Sequence, residues 1–401
     1  MTECHRPTRL VIQGATGSIG RSTLDVVRAH RDRFEIVGVA AGRSAYRLLE
    51  IAREFGVTSV ALSDPGGWPQ FETDARQAGI GQILVGETAA TKQVAFCECD
   101  LLVSAMLGSV GLEPTHEALR RGVSVALANK ETLVAAGPLI MQAARAGSAR
   151  IIPIDSEHSA IYQCLQGENP ATIRKIWLTT SGGPFWGRSR KDLASVTPEE
   201  ALRHPTWRMG DKITVDSATL FNKGLEIIEA AGLFGVGPDE IGVVCHRQSV
   251  VHSLVEFSDG SIKAQLSTPD MRLPILYALG YPARVTSHLV DTPMDRLPSL
   301  TFEPVPWEEF PCLQLALEAL RRGGTAPAAL SAADEVAVQA FLDRRIGFND
   351  IADVLQDVLE DWKDEALTDL EIVRHADRSA RRKAEETVVK RMTRKVLGSC
   401  Y

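Results

Sequence analysis

The segment that most limits what this chain can fold into is Gly-Ala-Thr-Gly-Ser-Ile-Gly at residues 14–20, set directly after the apolar run RLVIQ and directly before RSTLDVVRAH. An apolar strand, a glycine turn and an amphipathic helix in that order open a βαβ unit whose helix N-terminus faces a ligand. Gly14 lets the chain turn and Gly17 lets backbone approach a pyrophosphate. Thr16, Ser18 and Ile19 offer amides where a helix dipole favours anions. Glycine turns also serve purely structural ends; the placement between strand and helix is what points to a dinucleotide.

The rhythm continues. EIVGVA, AYRLLEIAREFG, SVALS, DLLVSAM, THEALRRG and SVALANKE alternate short apolar runs with helical patterns. This is the signature of a Rossmann-like, doubly wound parallel sheet over residues 1–153, and the fold class expected for the chain is α/β. A free ribose hydroxyl calls for an acid after the second strand, but here the chain reads Gly42-Arg43-Ser44. Arg43 pairs with a 2′-phosphate and Ser44 donates to it, so NADP(H) is favoured over NAD(H). The plainer alternative is a surface arginine opening the next helix.

From 154 to 284 helical and strand patterns mix, as in a second, α+β domain with a sheet able to supply an interface. There the sequence SDG between VHSLVEF and SIKAQLS reads as a hairpin turn. Prolines at 293, 298, 304, 306 and 311 mark an extended connector over 285–311, and residues 312–401 carry three-and-four apolar spacing, as in a helical bundle. The basic run of the last helix, Arg381, Arg382, Lys383, Lys390, Arg391, Arg394 and Lys395, is interrupted by Glu385 and Glu386 and reads as a solvated face.

Composition narrows the function classes. A net charge of −7 argues against a nucleic-acid partner, and no apolar run is long enough to span a bilayer. The seven cysteines are scattered and odd in number, as expected of buried free thiols in a reducing compartment. A cytoplasmic location follows, or the plastid stroma if a transit peptide has been removed.

In RIIPIDSEHSAIYQ, Asp155 and Glu157 stand two apart at the end of an apolar strand, where period-two geometry puts both carboxylates on one side. Like charges that close ask for a cation, and Glu226 in NKGLEIIEA is a candidate third acid. Oxygen ligands without a histidine or cysteine cluster suit Mg²⁺ or Mn²⁺. Capping of the following helix by Asp155 or Ser156 is the competing explanation. Ser181, Ser217, Asn222 and Lys223 supply hydroxyl, amide and ammonium donors suited to a phosphate, with Arg188, Arg208 and Lys212 near in sequence.

Together GATGSIG, ALANKETLV, PIDSEHSAIYQCL, LTTSGGPF, HPTWRMGDKITVDSATLFNKGLE and QLSTPDMRLPI resemble, in order and over essentially the whole chain, the 1-deoxy-D-xylulose 5-phosphate reductoisomerase family. The resemblance implies that Asp155, Glu157 and Glu226 ligate Mg²⁺, Mn²⁺ or Co²⁺. It implies that Ser181, Ser217, Asn222 and Lys223 hold the substrate phosphate, and that Lys130, Ser156, His204 and His252 line the pocket. Asn129, Lys130 and Glu131 would lie against NADPH, as would Met209 and Gly210, while Trp207 and Met209 fall in a mobile lid. A homodimer is the family's expectation.

Three positions depart from the family pattern. Arg247 stands where proline is common, and Ser331 and Asp334 replace two asparagines, which touches local turn geometry and bundle packing. Two other readings remain open on the residues alone. A plain NADP-dependent dehydrogenase of a phosphorylated or acidic aldehyde would need no carboxylate triad. An NADP-sensing regulatory protein would bind the nucleotide without turnover.

Overall fold

Apolar runs too continuous for a sheet with one wet face produce the first layer of the fold, as parallel strands covered on both sides require. The computed structural model describes residues 6–66, 68–207 and 209–398, with side chains as far as Thr393. Seven strands, β1 (Thr8–Gln13), β2 (Phe34–Ala41), β3 (Ser59–Leu62), β4 (Gln82–Val85), β5 (Leu101–Ser104), β6 (Ser124–Leu127) and β7 (Ile151–Pro153), form one sheet. Every pairing in it is parallel, in the order β4-β3-β2-β1-β5-β6-β7. The order reverses between β1 and β5, the place where such sheets open a crevice at the carboxyl ends of their strands. Leu10, Val11 and Ile12 of β1 and Leu102 and Val103 of β5 are fully buried at this centre.

The connecting helices are α1 (Ser18–Ala29), α2 (Ala45–Phe55), α3 (Phe71–Gln77), α4 (Ala89–Phe96), α5 (Leu112–Arg120), α6 (Lys130–Ala146) and α7 (Ser156–Cys164). In α1 the buried residues Gly20, Thr23, Leu24, Val26 and Val27 make the single inward stripe that its spacing dictates. Helix α6 is kinked: Ala136 leaves helical geometry two residues before Pro138, whose ring cannot continue the hydrogen-bond ladder.

Further along lie β8 (Ile173–Thr180), α8 (Pro198–Ala201), α9 (Asp211–Ala218), α10 (Phe221–Phe234), β9 (Ile241–Cys245), β10 (Val251–Phe257), β11 (Ile262–Leu266), α11 (Arg272–Gly280) and β12 (Glu303–Pro304). These strands make a second, mixed sheet in the order β11-β10-β8-β9-β12. The expected hairpin is present as the antiparallel pair β10 and β11. The proline-rich connector does more than cross, since its residues Glu303 and Pro304 add an edge strand against β9. Proline fits such an edge because no ladder donor is required of it.

Helices α12 (Pro311–Arg322), α13 (Ala326–Leu342), α14 (Phe348–Glu360) and α15 (Leu370–Gly398) complete the chain as the anticipated bundle around Leu330, Ala333, Phe341, Ile351, Leu355 and Ala384. The basic face of α15 is not simply solvated. Arg381 pairs with Glu335 and Asp377, Lys383 with Asp361, and Arg391 with Asp353 and Asp357. The side chains of Arg394 and Lys395, like Arg208, lie outside the described residues.

The chain divides into two compact units, one of Met1–Thr132, Ile140–Ser159 and Asp270–Asp291, the other of Leu133–Leu139, Ala160–Pro269 and Thr292–Tyr401. Among the described residues no disulfide forms: Cys99, Cys164, Cys245 and Cys312 are buried free thiols and Cys97 is half-buried. No helix among them is long and apolar enough to cross a membrane.

Candidate active site

In the first unit, β1 delivers the chain into a turn at Gly14, whose φ of 79° lies in the left-handed region. A Cβ there would stand 2.2 Å from the Ala105 carbonyl oxygen, so only glycine lets the two strand ends at the switch point approach this closely. The Gly17 amide donates to the Gly14 carbonyl at 2.9 Å, and Gly17 then caps α1 without any side-chain hydrogen bond. Gly17 and Ser18 are exposed and Thr16 and Ile19 half-buried. An uncapped helix start beside a glycine turn is built to receive an anion.

Gly42, Arg43 and Ser44 follow β2 and are exposed. The acid that the sequence lacks after β2 comes instead from beyond β3, where Asp64 Oδ2 accepts from Arg43 Nε at 3.1 Å. The Arg43 side chain is 85% exposed, so the pair contributes at most about 1 kcal/mol and the guanidinium is available to a stronger anion. Sequence reading missed Asp64 because parallel neighbours in a sheet are distant in the chain.

At the other end of the same sheet, β7 stops at Pro153 and α7 starts at Ser156. Asp155 and Glu157 therefore sit on either side of a helix start, which corrects the period-two strand geometry expected for them. Their carboxylates still converge, with one oxygen of each within 4.8 Å of the other. Lys130, at the start of α6, places Nζ 2.6 Å from Asp155 Oδ2, both side chains nearly buried, and Ser156 Oγ donates to Glu157 Oε2.

Asn129 caps α6 by accepting from the Thr132 amide at 3.0 Å, while its own amide donates to the Met106 and Gly108 carbonyls. Its visible work is thus to tie the loop after β5 to α6. Glu131 is buried in the first turn of α6. The donor set of Asp155, Glu157 and Ser156 is all oxygen, which fits a hard divalent cation.

The second unit gathers the other expected residues. Ser181 follows β8, and its Oγ lies 3.2 Å from His204 Nε2, which in turn lies 3.1 Å from Ser217 Oγ. His204 Nδ1 accepts from the amides of Thr206 and Trp207, at 3.1 and 2.9 Å, so the proton of the neutral ring belongs on Nε2, facing the two hydroxyls. Burial, and next the positive charge of Arg247, hold the imidazole down to about 4, so it is neutral at pH 7.

Leu220, at φ 57°, turns the chain abruptly from α9 into α10 and so sets Ser217 close in sequence to Asn222 and Lys223. A left-handed leucine is unusual and marks a junction that the surrounding packing enforces. On α10 Asn222 Nδ2 donates to Glu226 Oε1 at 2.6 Å and Lys223 pairs with Glu226 Oε2. Lys223 and Glu226 are 3% and 1% exposed, so the charge of one is what makes burial of the other tolerable.

Buried His252 on β10 places Nε2 2.9 Å from Ser267 Oγ, and the Trp207 ring lies 6.3 Å from its ring. Met209 is half-buried and Gly210 caps α9. Two neighbours in sequence have other commitments: Arg188 donates to the Asp192 carbonyl and covers Phe185, and Lys212 Nζ stands 2.6 Å from both Asp216 and Asp334. The last grouping escaped sequence reading, although Lys212 and Asp216 have the i,i+4 spacing of a helical ion pair.

Three family models cover most of the chain: 1-deoxy-D-xylulose 5-phosphate reductoisomerase over residues 10–137, its C-terminal domain over 151–234, and the DXP reductoisomerase C-terminal domain over 266–383. A 1-deoxy-D-xylulose 5-phosphate reductoisomerase of Chlorobium phaeovibrioides is 47% identical over 94% of this chain and 98% of its own length. The chain belongs to the 1-deoxy-D-xylulose 5-phosphate reductoisomerase family.

Another reductoisomerase, from Anaeromyxobacter dehalogenans, is 48% identical over 95% of this chain and 97% of its own length. Among solved structures, a DOX-P reductoisomerase in complex with NADPH, fosmidomycin and magnesium superposes with a TM-score of 0.91 at 41% identity, over 95% of this chain and 98% of that one. The reductoisomerase of Zymomonas mobilis in complex with NADPH gives 0.88 at 39% identity, over 95% and 99%. The fold class read from the sequence is that of these reductoisomerases.

Proposed function

We propose that this reductoisomerase converts 1-deoxy-D-xylulose 5-phosphate to 2-C-methyl-D-erythritol 4-phosphate in isoprenoid synthesis, using NADPH and a divalent cation. The observation that carries the proposal is the family likeness over residues 10–137, 151–234 and 266–383, which takes in both the glycine turn and the acids Asp155, Glu157 and Glu226. Residues 1–153 would bind the nucleotide, 154–284 carry catalysis and pairing, 285–311 connect, and 312–401 support.

Asp155, Glu157 and Glu226 would hold Mg²⁺ or Mn²⁺, supported by their oxygen chemistry. When bound, the cation supplies Lewis-acid charge to the neighbouring ketone and hydroxyl oxygens, and NADPH supplies the hydride. The chain's own residues do the rest. The Gly14–Ile19 turn and Arg43 fix the two phosphate ends of the nucleotide. Ser181, Ser217, Asn222 and Lys223 grip the sugar phosphate far from the reacting carbons, which orients the skeleton for rearrangement and makes binding energy serve the reaction. Neutral His204 donates through Nε2 and orders both serine hydroxyls. Lys130, with its ammonium on Asp155, is placed to steady negative charge developing on substrate oxygen. Trp207 and Met209 would cover the site and keep water from it.

A homodimer is the assembly we propose, consistent with the exposed edge strand β11, whose Ile262 is 55% exposed. A cytoplasmic setting accords with relatives from bacteria. The test of function is NADPH oxidation with 1-deoxy-D-xylulose 5-phosphate, with and without a chelator. Turnover that stops on chelation and resumes with added Mg²⁺ or Mn²⁺ is expected. Reduction of simple aldehydes with no metal requirement would favour the plain dehydrogenase instead.

A further inference from the structure

Within the second unit, the loop that follows β8 and the turn that follows β9 leave the sheet side by side. Strands β8 and β9 are parallel and Thr180 is in register with Cys245, so Ser181–Gly183 and His246–Gln248 emerge at the same end. The His246 amide donates to the Thr180 carbonyl at 2.8 Å and holds the two exits together. Arg247 stands at the tip of the second exit, exposed, with Nη1 3.5 Å from the Gly183 carbonyl oxygen. Gly183 in turn lies against Ser217, since a Cβ on it would be 2.6 Å from the Ser217 carbonyl oxygen. A short chain of contacts thus leads from the Arg247 guanidinium to the Ser181, His204 and Ser217 cluster.

Beyond Lys223, that cluster gains from a second cation. Its hydroxyls are neutral and so is its imidazole. Lys223 is paired with Glu226, and Lys212 is shared between Asp216 and Asp334. Arg247, by contrast, makes no ion pair among the described residues, and its one hydrogen bond is at the outer limit of length. Its positive charge acts on His204, within the cluster. In a chain of net charge −7, an anionic substrate depends on such local positive charge.

We propose that Arg247 is a further substrate-binding residue, whose guanidinium closes on the phosphate held by Ser181 and Ser217. The planar fork presents paired donors to phosphate oxygens, and breaking a marginal bond to Gly183 costs little in exchange. The inference rests on the reading of the Ser181 and Ser217 cluster as the phosphate site.

Three variants, Arg247→Ala, Arg247→Lys and Ser217→Ala, compared by steady-state kinetics and by inhibition with inorganic phosphate, test it. Because Arg247 is exposed, its variants should melt with the wild type. Arg247→Ala should raise KM for the sugar phosphate and Ki for inorganic phosphate about tenfold, with a far smaller change in kcat and none in KM for NADPH. Arg247→Lys should recover part of the loss, and high salt should narrow the gap. If Ser217→Ala raises both constants and Arg247→Ala leaves them at wild-type values, the role of Arg247 is refuted and the phosphate site stands. If neither variant moves them, both readings fall. A rise in KM for NADPH matching that for the sugar phosphate would refute a phosphate-specific role as well.

Discussion

Glu226 is the residue on which the proposed chemistry leans most heavily. It is buried at 1% exposure and held by Asn222 and Lys223, so Glu226→Gln keeps the shape of the side chain while removing the charge that a divalent ion would use. Turnover should fall at least about 100-fold with NADPH affinity nearly unchanged, measured by steady-state kinetics beside fluorescence titration of the nucleotide. Wild-type rates at limiting metal would remove Glu226 from the ligand set. Arg43 is the complementary case, exposed and lightly held by Asp64. Arg43→Asp puts a carboxylate where a 2′-phosphate would sit, and preference for NADPH over NADH should drop on the order of 10- to 100-fold. An unaltered ratio would mean that the 2′-phosphate is read elsewhere.

At the scale of elements, α9 is pinned to α13 by one lysine between two acids. Asp334 is fully buried on α13, and Lys212 and Asp216 reach it from α9, with the Cys312 thiol of α12 also within their field. Burial first, and Asp216 second, push the Asp334 carboxyl well above its ordinary range. In the unfolded chain this group loses its proton near pH 4, while in the folded protein it keeps the proton to higher pH. The folded state therefore binds more protons across that window, and stability falls as pH rises through it. Asp334→Asn abolishes the slope and leaves Lys212 paired with Asp216. Thermal melts should show the variant a few degrees more stable than wild type at pH 8, with the gap closing toward pH 4. A gap independent of pH would mean that the two carboxyls do not share this burden.

For the whole molecule, binding and turnover should separate. On the proposed reading the turn after β1 and the residues after β2, which lie in the first unit, hold the phosphates of NADPH, so saturation at a hundredfold over Kd should stabilise that unit by about 2.7 kcal/mol and raise its melting transition. A chelator should leave this shift in place while abolishing turnover. Loss of the shift on chelation would tie the nucleotide to the metal and contradict the separate placement of Gly14–Ile19 and Asp155.

The glycine turn, the parallel sheet, the β10–β11 hairpin and the bundle were legible in the chain itself, because strand and helix periodicities and turn chemistry are local. The meeting of the Gly14 turn with the start of α1 was legible for the same reason: the two are neighbours in sequence. Tertiary structure alone decided the partners that arrive from elsewhere. Asp64 holds Arg43, Lys130 meets Asp155, Arg247 faces Gly183, and Asp334 joins Lys212 and Asp216. Charges find one another across packed elements, and no pattern along a single stretch of chain records which carboxylate will lie beside which cation once water has been excluded.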